Sequence, residues 1–211
     1  MTPPPNRLLW RLAWANVLLH AMGLTFAQRA MRLGSPLVPV ADRMAYLAGR
    51  PPGWAWGWGL WMVCALLLLA YVAALRSRLP GRSLSADLAL ALTAAGVGVD
   101  LLCDVIQIRG LPLAAASGSE ALFLSLEALA FTGGLTAANG LYTAAILLLT
   151  LGLGREIGPE ARIFGFGTVI FGTIMAVAGL IPLPSYLLES STGLTVLLFA
   201  MWTLRVAKDL Q

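Results

Sequence analysis

Six runs of about twenty apolar residues constrain this chain more than any other feature; they lie at roughly 8–29, 56–76, 86–108, 135–153, 163–181 and 187–204. A helix needs that length to cross a hydrocarbon core of about 30 Å, where every backbone N–H and C=O must be satisfied internally. Composition agrees: 59% of residues are hydrophobic and 11% charged, whereas soluble domains carry about 25% charged residues. These features predict an all-α polytopic membrane protein, with residues 1–211 forming one six-transmembrane-helix bundle. Arg7 and Arg11 precede an apolar stretch ending at Thr25-Phe26-Ala27, which imitates a signal peptide. The stretch is counted here as a retained first span.

Six spans place both termini on one side. With the N-terminus inside, nine basic residues (Arg7, Arg11, Arg76, Arg78, Arg82, Arg155, Arg162, Arg205 and Lys208) fall on inner segments. Five (Arg29, Arg32, Arg43, Arg50 and Arg109) fall on outer ones. The positive-inside rule therefore predicts cytoplasmic N- and C-termini, although the first outer loop, with four Arg, dissents. Lys208 is the single lysine, and this Arg bias with abundant Ala, Leu and Gly points to a bacterial gene and hence to the inner membrane. The net charge of +4 forms no dense basic tract, so nucleic acid is excluded as a partner. Cys64 and Cys103 form no CxxC pair, and with His20 the lone histidine no usual zinc site or bis-His haem is possible. No cofactor is expected.

The outer connections carry more sequence than the inner ones, and elaborated loops are where function concentrates. Residues 30–53 contain a short helical stretch, VADRMAYLAG, and residues 110–134 contain SGSEALFLSLEALAFTGG. In the latter, Ser117 and Glu120 match a capping box opening a helix that Gly133-Gly134 is expected to end. That helix is either a short interfacial one lying along the outer surface or the first part of one long tilted fourth span; a single straight helix over 118–153 would measure about 54 Å, so the broken version is preferred. Trp54, Trp56, Trp58 and Trp61, with Trp10, Trp14 and Trp202 at the other end, read as interfacial anchors. Span five carries Gly165, Gly172 and Gly179 at intervals of seven, a small-residue stripe for close helix packing. Asn139 reads as an interhelical hydrogen-bonding residue.

Polar residues inside the greasy runs give the functional handle. In VDLLCDVIQIR, Asp100, Asp104 and Gln107 share one helical face, with Gly96 one turn below. An Asp at the centre of a span costs roughly 2.5–3.5 kcal/mol, so the pair must face the bundle interior or a wet cavity. Carboxylates at i and i+4 lie about 5–6 Å apart and cannot both ionise there without a cation or positive partner. Depth along the helices places His20 about 13 Å below the outer end of span one, with Glu127 in the segment before span four. Asp100, Asp104, Gln107, His20 and Glu127 are the candidate ligand- or proton-binding residues; no catalytic or metal-ligating set is assigned.

Gly96-x-x-x-Asp100-x-x-x-Asp104 is similar to the second half of the CDP-alcohol phosphotransferase motif. That resemblance implies a six-span lipid-processing enzyme whose acids bind a divalent metal and the CDP moiety. The last Asp would be its general base. The upstream half of the motif, which would close at position 87, lacks its two acids and its arginine here.

Three functions follow. The first is a non-enzymatic membrane protein that binds or helps translocate a small cationic or protonatable ligand, or a proton, at an acidic pocket in the outer half. The second is an accessory or scaffold subunit of a homo-oligomer or larger membrane complex. The third is the lipid-processing enzyme.

Overall fold

The computed structural model describes residues 7–79, 83–181 and 185–210, so Arg82, counted above among the inner charges, lies outside it. The described residues are helical and contain no strand. Among the described residues nine α-helices follow in order: α1 (Arg7–Arg29), α2 (Val40–Ala48), α3 (Pro52–Arg76), α4 (Leu84–Val105), α5 (Leu111–Ala116), α6 (Glu120–Phe131), α7 (Asn139–Leu153), α8 (Pro159–Ala178) and α9 (Ser185–Asp209). Two π-helical segments, Ile106–Gly110 and Thr132–Ala138, join α4 to α5 and α6 to α7.

Among the described residues, five helical runs are long and apolar enough to cross a membrane: Pro52–Arg76, Leu84–Ala116, Glu120–Glu156, Pro159–Ala178 and Leu187–Asp209. Helix α1 has 23 residues but is not among the five. Its two N-terminal arginines with Asn16, His20 and Gln28 dilute its apolar character.

Two of these runs correct the expected boundaries. The helix predicted to break at Gly133-Gly134 runs from Glu120 to Glu156, 37 residues that rise about 55 Å. The glycines lie within the second π segment, where a Cβ on Gly133 would collide with the Cys103 sulfur of α4. Helix α4 likewise continues past Arg109, through Pro112, to Ala116. Together these runs make a helical hairpin longer than a bilayer core is thick. Its tip turns at Gly118, whose φ of 71° is accessible to glycine at little cost. That turn moves the helix start: Ser119 caps α6, accepting from Leu122 N at 3.3 Å. Ser117 instead donates to Ala114 O at 2.7 Å and finishes α5. Glu120 is thus the first helical residue, two positions short of where a capping box needs it.

The long helices close into a ring, each packed on its neighbour in the order α1, α3, α4, α7, α8, α9 and back to α1. At one end a large apolar core fills the ring, built on Leu9, Tyr71, Leu75, Leu149, Leu153 and Trp202. Trp202 is fully buried there, stacked on Phe199, so it is a core residue and not the anchor its position implied. At the other end, α2, α5 and α6 form a cap with its own core around Leu47, Trp54, Leu111 and Phe123.

The α7–α8 contact shows why the glycine stripe recurs every seven residues. A Cβ on Gly165 would meet Thr150, one on Gly172 would meet Thr143, and one on Gly179 would meet Thr136. The threonines are themselves seven apart, so two antiparallel stripes interlock in one register. Thr136 Oγ1 also donates across to Ala176 O at 2.7 Å. Close approach of small residues, not hydrophobic exclusion, holds helices together in lipid.

Candidate functional site: a central acidic and aromatic cavity

Between the two cores the ring surrounds a partly open cavity of about 370 Å³, within the size range of small-molecule sites. It extends from Ile146 and Thr168 in mid-bundle to Arg32, Ser35 and Glu189 at the capped end. Four of the five candidate residues line it: Asp100, Asp104, Gln107 and His20. Glu127 does not. It is buried in the cap instead, where Arg43 Nη2 of α2 donates to its Oε2 at 2.6 Å. The same guanidinium donates to Val38 O and lies over the Phe123 ring, 5.8 Å from its centroid. Glu127 and Arg43 therefore tie α6 to α2 within the cap.

The two aspartates are held differently. Tyr142 of α7 donates its hydroxyl to Asp100 Oδ2 at 3.1 Å. Gly96 makes this contact possible, because a Cβ there would strike the Tyr142 ring. The glycine of the GxxxDxxxD pattern thus serves here as a seat for an aromatic side chain. Asp104 is 1% exposed, and its Oδ2 has no hydrogen-bond partner among the described residues. Gln107, one turn further and equally buried, has an unpartnered Oε1. A buried polar atom left unpaired costs about 1–3 kcal/mol, so such a cluster is retained against stability.

The π segment at Gln107 follows from Pro112. In a regular helix Gln107 O would accept from the N–H of residue 111; here Leu111 N–H reaches back to Ile106 O. The next possible donor is Pro112, which has no N–H. The stranded carbonyl is met from outside: Trp54 Nε1 of α3 donates to Gln107 O at 2.7 Å. A proline in the hairpin therefore sets the local helix register, positions Gln107 and orients Trp54. In the second π segment Asn139 Nδ2 donates to Gly134 O at 2.8 Å, within its own helical run and not between helices as expected.

His20 is buried on the cavity wall between Trp61 and Phe199, at ring-centroid distances of 5.9 Å and 5.3 Å. Its Nδ1 lies 2.8 Å from Asn16 O. A carbonyl only accepts, so Nδ1 carries the hydrogen. Outside the spans, burial raises the Tyr46 phenol of α2 above its ordinary pKa, and its hydroxyl donates to Ala30 O at 2.6 Å.

The tryptophans correct a second expectation. Trp54, Trp58 and Trp61 all line the cavity, while Trp56 points away and is 74% exposed. Positions 54, 58 and 61 are spaced i, i+4 and i+7, one helical face, so the signal was present in the sequence. Tyr142 and Arg43 carried no such signal, because their roles depend on which helices meet. Among the described residues no group of three or more His, Cys, Asp and Glu side chains is placed to hold a metal ion. No protein-family model, curated protein or solved structure matches this chain.

Proposed function

We propose that this chain is a non-enzymatic, six-span membrane protein that binds, or helps translocate, a small cationic or protonatable ligand in the central cavity. One observation carries the reading: a buried, unpartnered carboxylate, Asp104, stands in a cavity walled by three tryptophans. A carboxylate supplies the counter-charge, and aromatic faces attract cations by about 0.5–2 kcal/mol each. Helix α1 counts as the sixth span because its length and its place in the ring match those of the other five. Both termini are assigned to the cytoplasmic side of a bacterial inner membrane, so the cavity opens outward. The arginine distribution supports that orientation, and Arg43, one of the dissenting outer charges, is occupied by Glu127.

The test uses the full chain in phosphatidylcholine nanodiscs near neutral pH, with intrinsic tryptophan fluorescence as readout. Titration with 2-phenylethylamine, a cation, is expected to give a saturable change; 2-phenylethanol, a neutral molecule of similar shape, is expected to give none. No saturable response to the amine, or an equal response to both, would overturn the proposal.

A further inference from the structure

The unpaired atoms along the cavity wall specify more than charge. Asp104 Oδ2 and Gln107 Oε1 are acceptors, and they lie three positions apart on one helical face. The neighbouring acid, Asp100, already accepts from Tyr142. A quaternary ammonium would satisfy the charge but leave both acceptors unpaired, since it has no N–H to give. A metal ion would draw on several clustered carboxylates, an arrangement absent among the described residues. The apolar and aromatic remainder of the wall, including Trp58, Trp61 and Phe199, calls for a ligand with an apolar body.

Building on the proposed cation-binding role, we infer that the ligand's charged group is a primary or secondary ammonium that donates to both Asp104 and Gln107, with its apolar body against the tryptophan face. Two sources offer this chemistry: a free amine, or the ethanolamine headgroup of a membrane lipid. Both are ammonium donors carried on an apolar molecule.

The experiment compares three cations on the full chain in phosphatidylcholine nanodiscs. These are 2-phenylethylamine, its N-propyl secondary amine and its N,N,N-trimethyl analogue; the last two have equal carbon numbers, which controls for size. Both N–H-bearing amines are expected to bind about tenfold or more tighter than the trimethyl analogue, the range for a hydrogen bond to a charged group. Gln107→Leu should shrink that preference by weakening the two N–H-bearing amines more than the trimethyl analogue. Equal affinity for the secondary and trimethyl cations would overturn the inference and leave the cation site standing. Binding of none of the three would remove both. The wild-type comparison decides the question even if Gln107→Leu fails to fold. Repeating the titration with phosphatidylethanolamine in the nanodisc separates the sources. Competition assigns the site to the lipid headgroup, and unchanged affinity assigns it to a free amine.

Discussion

The two ends of this bundle are made from the same six helices and differ in almost every other respect. At the sealed end, regular helices interlock through small residues: Gly165 sits under Thr150 and Trp202, and Leu9, Leu75, Leu149 and Leu153 close the ring. At the capped end, α4 and α7 each adjoin a π segment, and the ring holds a cavity beside the smaller core of the cap. Buried charge follows the same division. Asp104, Arg43 and Glu127 all lie in the cavity or the cap, as does the buried amide of Gln107. π segments are rare and concentrate at functional sites, because they re-aim side chains at a cost in helix regularity. The contrast teaches that the sealed end supplies the rigidity on which a strained, polar end is built.

Mutations can break that contrast, and the largest effect is expected in the cap. Arg43→Met leaves Glu127 buried without its partner and should lower stability by about 3–5 kcal/mol. The double variant Arg43→Met/Glu127→Leu should recover most of the loss, since a buried ion pair replaced by apolar side chains is often neutral. Thermal unfolding in detergent measures both; a double variant no better than the single would refute the pair's role. Next is the sealed end. Gly165→Val overpacks the α7–α8 contact and should cost about 1–3 kcal/mol, without altering the preference among cations. The smallest effect tests the link between them. Trp54→Phe strands the Gln107 carbonyl and should cost on the order of 1 kcal/mol. In a Pro112→Ala background, where the helix can supply its own donor, that penalty should shrink. A cycle showing no coupling would separate Pro112 from the π segment.

The division also explains what was legible in the sequence. Apolar length and the 3.6-residue period are local properties, so the helices and the shared face of Asp100, Asp104 and Gln107 could be read directly. Helix ends at the capped side could not. Pro112 and Gly133-Gly134 are ordinary stop signals, yet here the chain keeps its helix because Trp54 and Asn139 supply the missing hydrogen bonds. Trp54 comes from another helix and is set by tertiary packing, whereas Asn139 lies five residues further along the same helical run. Glu127 shows the same limit: its depth was readable, but its partner Arg43 lies 84 residues away on a short helix with no marker of the pairing. The tryptophan face was different. Its spacing is visible in the sequence, but tryptophans at the end of a span equally fit interfacial anchors.

The proposed cation site takes its counter-charge from Asp104, and its most direct measurement is 2-phenylethylamine binding by Asp104→Asn beside the wild type. Asparagine keeps the shape and removes the charge, so binding should fall by about tenfold or more. Asp100→Asn, whose carboxylate is already engaged by Tyr142, should fall less. Wild-type affinity in a folded Asp104→Asn protein would contradict the account.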